Sequence, residues 1–195
     1  MLKYSYTLLA PVYDHIVARA TQDMRRQSLA RLGKINEQSV LLAGIGSGLD
    51  IPLLPEGADY TGVDLTPAML ERARRYHSAI NLQQGNVMQL DFDDNQFDVV
   101  IMHLILAVVP QPLCALQEAC RVTRPGGRIL ILDKFIKPGQ RAPFRRLLNI
   151  VLRHVATRTD VVFEELLQQC PELKVERDQA AGFSSWFRHI ELKKI

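Results

Sequence analysis

The sequence predicts an α/β fold: a doubly wound, mostly parallel seven-stranded sheet closed by a C-terminal antiparallel hairpin. Three observations predict it. The stretch from Ser39 to Asp64 (SVLLAGIGSGLDIPLLPEGADYTGVD) passes from a short apolar strand, Val40 to Ala43, through a glycine loop and a helix to a second strand ending at Asp64. Phe97 to Leu104 (FDVVIMHL) is a nearly continuous apolar run, the pattern of a strand covered on both faces. Apolar strand runs then alternate with helical patterns along the chain, the rhythm of βαβ units.

Taken in order, Met1 to Leu32 has helical spacing, with Tyr6, Ala10 and Tyr13 on one face and Pro11 starting a new turn. Two readings stand for this segment: rings that pack the helix onto the domain, or an N-terminal helical lid. Its later part, Arg19 to Leu32, is amphipathic, with Met24, Leu29 and Leu32 as the apolar stripe. After the second strand, the Thr66 hydroxyl is expected to cap a helix that has Pro67 at its first position and runs Ala68 to His77. Ile80 to Gln83 is the third strand, Gly85 and Asn86 a turn, and Phe97 to Leu104 the fourth strand. Pro112 to Val122 is a helix turning Leu113, Leu116, Ala119 and Cys120 inward, and Arg124 to Gly127 (RPGG) stops it. Arg128 to Asp133 is the fifth strand. Phe135 to Gln169 is a helical insertion, and Leu173 to Gln179 with Trp186 to Leu192 forms the hairpin about a turn at Gly182 to Ser185.

With 195 residues, 47% of them apolar, the chain suits one well-buried domain, and no linker or repeat divides it. The formal charge of +3 is small, and much of the excess lies between Lys134 and Arg158, so a local basic face is expected and a nucleic-acid surface is not. Cys114, Cys120 and Cys170 form no CxxC pair, which points to reduced thiols in a cytoplasmic protein, with Cys114 and Cys120 as buried packing residues. No apolar run approaches the roughly 20 residues of a membrane span. No metal site is expected.

A glycine loop between strand and helix lets a ligand lie against bare backbone, and an acid at the end of the next strand can accept hydrogen bonds from both ribose hydroxyls. The glycines run G-x-G-x-G (Gly44, Gly46, Gly48) with Leu49 following, so the third glycine of a pyrophosphate-binding G-x-G-x-x-G is out of register. That disfavours a dinucleotide. Asp64 supports a nucleoside without choosing which.

LLAGIGSG, GVDLTPAMLERAR, GNVMQLDFDDNQFDVVI and RVTRPGGRILILD together resemble the class I S-adenosylmethionine-dependent methyltransferases. Within these, YTLLAPVYD and VVPQPLCALQEACRVTRPGG resemble bacterial phosphatidylethanolamine N-methyltransferases, with the ubiquinone and menaquinone C-methyltransferases somewhat further off. The resemblance covers about Tyr4 to Phe135. It implies a Rossmann-like sheet and S-adenosylmethionine as cofactor. Gly44, Gly46 and Gly48 would lie along its methionine part, Asp64 would hold the ribose, and Leu65 and Met69 would pack near the adenine. Asn86 stands where the family usually has an aspartate that receives the adenine amino group, with Val87 beside it; an amide oxygen can accept the same bond. His103 and Leu104 would end the fourth strand beside the methionine half, and Tyr6 and Tyr13 match aromatic positions of a lid facing the sulfonium. The family's usual acid near the loop is Leu42 here, so either another residue orients the methionine tail or cofactor affinity is reduced.

Methyl transfer from a sulfonium is an in-line displacement that requires alignment and only sometimes a base. His103 is therefore either that base or a polar residue that touches the cofactor or is satisfied by backbone. In the insertion, Arg141, Arg145, Arg146, Arg153 and Arg158 are interleaved with apolar residues, suiting either a solvated helix face or peripheral contact with an anionic membrane through residues 136–158. The acceptor expected is a small molecule or lipid, with the phosphatidylethanolamine amine first. The rivals are a quinone or other small apolar acceptor, a non-catalytic cofactor-binding module and, last, a nicotinamide oxidoreductase.

Overall fold

The computed structural model describes residues 21–76, 79–136, 161–182 and 187–195. Tyr6 and Tyr13 of the expected lid and the arginines of the basic insertion lie outside these. The elements are helix α1 (residues 21–29), β1 (Ser39–Ala43), β2 (Asp59–Asp64), α2 (Pro67–Ala73), β3 (Asn81–Gln84), β4 (Phe97–His103), α3 (Pro112–Val122), β5 (Thr123–Lys134), α4 (Phe163–Leu167), β6 (Leu173–Ala181) and β7 (Phe187–Lys194). The strands form one seven-stranded sheet in the order β3-β2-β1-β4-β5-β7-β6. β1 to β5 run parallel to one another, whereas β7 is antiparallel to both β5 and β6.

The five parallel strands are covered on both faces, as parallel strands are. Val40 and Leu42 of β1, Val99 and Ile101 of β4 and Leu130 of β5 pack on one face with Leu29 and Leu32 from the α1 side and Leu70 of α2. Leu41, Ala43, Val100, Met102, Ile129 and Ile131 pack on the other with Leu116 and Ala119 of α3 and Phe163 of α4. The last strand is locked under α3, whose final carbonyls have no partner within the helix. The buried Lys194 ammonium donates to Cys120 O and Thr123 O, both at 2.9 Å, and to Asn95 Oδ1 at 2.9 Å.

α1 docks on the sheet through its apolar stripe, Met24 and Leu29 being buried, as is Leu32 in the 3-10 turn that follows. Polar clamps fix its position. His189 Nε2 donates to Met24 O at 2.9 Å, which leaves Nδ1 as an acceptor for Arg31 at 3.3 Å; burial, then the Arg31 charge, holds this imidazole below its ordinary pKa.

Several expectations are corrected. No α-helix follows the glycine loop; a single 3-10 turn, Ile51–Leu53, stands there, because Pro52 and Pro55 withhold amide donors and Leu54 is already extended. The helix expected over Ala68 to His77 ends at Ala73 and tightens into a 3-10 turn at Arg74–Tyr76. Thr66 occupies the N-cap position, but its hydroxyl caps nothing; it bonds the Asp64 carboxylate instead. Cys114 is half-exposed on α3, and only Cys120 and Cys170 are buried. Among the described residues no helix is long and apolar enough to cross a membrane.

Candidate active site

The strand order reverses between β1 and β4, since the chain builds outward from β1 to β3 on one side and from β4 on the other. In such sheets the crevice beyond the carboxyl ends at this switch point receives the ligand. Two loops meet there: the glycine loop after β1 and the turn after β4.

The glycine loop is pinned from β2. Gly44 N and Ile45 N both donate to Val63 O, at 2.8 and 2.9 Å, and Gly46 N donates to Asp64 Oδ2 at 2.9 Å. The other carboxylate oxygen of Asp64 accepts Thr66 N–H at 2.8 Å. Burial pushes the Asp64 pKa up, and the Thr66 and Gly46 N–H groups work against that. With Gly46 N–H, Thr66 N–H and the Thr66 hydroxyl on it, the carboxylate keeps one lone-pair direction for a ligand hydroxyl.

Two glycines matter for different reasons. At Gly48, with φ of 84°, an added Cβ would lie 3.0 Å from the α2 backbone at Ala73, so any side chain collides with the helix. At Gly46, with φ of 59°, an added Cβ would meet nothing within 4 Å. Open space over bare backbone, beside a carboxylate and beside Leu65, which is 53% exposed, fits a nucleoside ligand with a ribose and an apolar base face. Met69 is half-buried on α2 near the same rim. Asn86 Oδ1 accepts Met88 N–H at 3.0 Å, an Asx turn, and its second lone pair and the amide N–H groups are the ones that could meet a ring edge. The Val87 side chain is buried in the core.

His103 and Leu104 come to the switch point as the sequence places them. Leu104 has φ of 57° and donates its N–H to Leu132 O at 2.7 Å, turning the chain sharply at the end of β4. His103, however, is only 5% exposed and has both ring nitrogens occupied. Nδ1 lies 3.0 and 3.1 Å from the Asp50 carboxylate oxygens, and Nε2 lies 2.9 Å from Ser28 Oγ. Arg25 Nη1 donates to the same carboxylate at 2.8 Å, and its Nε donates to Thr21 Oγ1 at 3.1 Å. Burial alone would raise the Asp50 pKa, but His103 and Arg25 overcome it and hold the carboxyl well below the usual carboxylate range.

Two carboxylates at this end of the sheet escaped sequence reasoning. Asp50 closes the glycine loop and Asp133 lies near the end of β5. Asp133 accepts N–H groups from Lys134 at 2.8 Å and Ala107 at 3.1 Å, so it anchors the turn after β4; burial pushes its pKa up to about 6. An acid following an apolar strand run is the signal that marked Asp64, and it could have marked Asp133. Nothing local marks Asp50, whose partners lie 25 and 53 residues away in sequence.

A glycine loop at the switch point of a doubly wound sheet, with an acid at the end of the adjoining strand, is the arrangement in which α/β proteins of this fold hold nucleotide ligands. Residues 41–131 match a family model described as a methyltransferase domain. A phosphatidylethanolamine N-methyltransferase of Cereibacter sphaeroides is 32% identical over 132 residues, 65% of this chain and 64% of that protein. A demethylmenaquinone methyltransferase of Tropheryma whipplei strain Twist is 32% identical over 209 aligned positions, covering 96% of this chain and 86% of that one. The chain belongs to the S-adenosylmethionine-dependent methyltransferase family. It nevertheless matches less than two thirds of the length of the Cereibacter relative. Among solved structures, a geranyl diphosphate methyltransferase in complex with GPP and sinefungin superposes with TM-score 0.74 at 15% identity, over 91% of this chain and 80% of that one. The [4+2]-cyclase SpnF superposes with TM-score 0.76 at 14% identity, over 97% and 94%. At such identities these two share the fold alone.

Proposed function

We propose that this protein transfers a methyl group from S-adenosylmethionine to the amine of a phospholipid headgroup, phosphatidylethanolamine first. The observation that carries the cofactor half is the Gly46 cradle beside Asp64 at the switch point, in a chain of this family. Gly44, Gly46 and Gly48 would line the methionine half, Asp64 would accept a ribose hydroxyl, and Leu65 and the Asn86 amide would border the adenine. The bound cofactor supplies an electrophilic methyl on sulfur. The chain's part is to hold the acceptor in line and exclude competing water.

The amine is favoured over carbon or phenol because His103 spends both ring nitrogens on Asp50 and Ser28. A neutral amine attacks without a protein base and gives its proton to water afterwards, whereas a carbon acceptor gains from a base. The arginines from Arg141 to Arg158, interleaved with apolar residues, suit an acceptor presented at an anionic bilayer surface. A second reading, C-methylation of a demethylquinone, draws support from the Tropheryma relative, which is matched at the same identity over far more of its length.

Calorimetry with S-adenosylhomocysteine and with NAD tests the cofactor; binding of NAD alone overturns it. Radiolabelled transfer to phosphatidylethanolamine vesicles and to demethylmenaquinone separates the two acceptors, the vesicles being the expected product pool. Flotation with anionic liposomes, lost in Arg145→Glu/Arg146→Glu, tests the membrane contact, which is overturned if the unaltered protein stays at the bottom of the gradient.

A further inference from the structure

Beneath the glycine loop lies a polar cluster that the chemistry above does not use. Thr21, Arg25 and Ser28 fall four and three residues apart, on one face of α1, and all three are buried. They face His103 at the end of β4 and Asp50 at the end of the loop. Ser28, His103 and Asp50 are connected in the order of an acyl-transfer triad, with 2.9 Å from hydroxyl to imidazole and 3.0 Å from imidazole to carboxylate. Ser28 is only 2% exposed and sits inside a helix, and the carboxylate is shared with Arg25. A nucleophile needs access, so this is not a hydrolytic centre.

A buried ion pair is also a poor way to obtain stability, because desolvating two charges consumes much of their attraction and apolar residues of equal volume do as well. What the pair does supply is direction: a carboxylate between a guanidinium and an imidazole has one geometry. Asp50 is the last residue of the loop, where it also starts the 3-10 turn through Leu53 N donating to Asp50 O at 2.9 Å. Leu42, which offers the loop no polar group, pairs in register with Ile101, and His103 lies two residues further along the same face of β4. The Asp50 carboxylate therefore reaches the sheet face that Leu42 leaves apolar, one strand step closer to the ligand.

We infer that Asp50 is a positioning residue: held by Arg25 and His103, it fixes the C-terminal end of the glycine loop against α1, so that docking of α1 and binding of the cofactor are coupled. This rests on the cofactor reading above. Coupling of this kind is typically worth about 5- to 150-fold in affinity.

The test uses the full chain with Asp50→Asn, with Arg25→Met/Asp50→Asn, which leaves no buried charge unpaired, and with Leu116→Ala, which loosens the opposite face of the sheet. Two readouts are taken: calorimetric affinity for S-adenosylhomocysteine, and hydrogen exchange at the amides of Gly44, Ile45 and Gly46 without ligand. Both Asp50 variants are expected to bind roughly tenfold more weakly and to exchange faster at those amides, while Leu116→Ala changes neither. Parent-like affinity and parent-like exchange in the double variant overturn the inference, as does an equal loss in Leu116→Ala, which would reduce Asp50 to a stability role. Failure of the unaltered protein to bind S-adenosylhomocysteine overturns the cofactor reading, and the exchange arm still decides the role of Asp50.

Discussion

Asp50 and Asp133 are buried to nearly the same degree, 4% and 1% exposed, at the same end of one sheet, yet their acidities move in opposite directions. Asp50 closes the glycine loop and faces Arg25 and His103, whose charge outweighs desolvation. Asp133 anchors the turn after β4 and receives neutral backbone N–H groups, with Lys134 the nearby cation among the described residues, so desolvation wins. Burial therefore sets the size of the stake, and the partners decide its sign. The glycine loop ends on a committed anion, and the turn after β4 is held by a carboxyl whose pKa burial pushes up to about 6.

The comparison breaks most sharply at Asp50. Asp50→Ala leaves the Arg25 guanidinium buried without its counter-ion, and a loss of about 3–5 kcal/mol is expected by urea denaturation at pH 7. A loss under about 1 kcal/mol would mean that Arg25 simply swings to water, and the contrast with Asp133 would collapse.

Next in size is the pH dependence. The folded Asp133 pKa of about 6 lies above its ordinary 3.8, so the folded state holds the extra proton. Its stabilising contribution is complete below 3.8 and lost as pH rises through about 6, a fall of about 3 kcal/mol across that window. Asp50 behaves oppositely: its contribution is present above 3.8 and is lost as pH falls below it. Denaturation midpoints from pH 3 to pH 8 should flatten between pH 4 and 6 in Asp133→Asn, and an unchanged slope would remove Asp133 as its source.

A smaller effect is expected for Asp133→Ala at pH 7. The Ala107 and Lys134 N–H groups lose their acceptor, costing roughly 1–3 kcal/mol, partly offset by relief of the buried charge. Hydrogen exchange should rise at Ala107 and leave Gly46 unchanged. The smallest effect is Ser28→Ala, about 0.5–1.5 kcal/mol for one hydrogen bond, because His103 keeps Asp50. A larger loss would mark Ser28 as a full member of the network.

How legible all this was depends on the range of the interactions concerned. β4, α3 and the β6–β7 hairpin were readable because apolar periodicity and stop signals are local properties. The helix expected after the glycine loop was misread because the strand–loop–helix pattern was weighed above Pro52 and Pro55, which stand in plain view. Asp64 was found by its place at a strand end. Asp133 carried the same mark and was passed over, since its function of holding the turn after β4 depends on a chain segment 26 residues earlier. His103 was placed correctly at the switch point, but whether it is free to act as a base depended on Asp50 and Ser28, neither of which has a periodic or motif signal.

By itself the sequence determined the sheet, its switch point, the glycine loop and the acid beside it, because each follows from spacing within a few residues. Only the tertiary structure decided which carboxylates are committed anions, that Asp50 at the end of the glycine loop meets Arg25 and His103, and that His103 is engaged on both nitrogens. The charge and hydrogen bonding of a buried group are set by whatever the fold packs against it, and here those partners come from α1, β4 and the loop together.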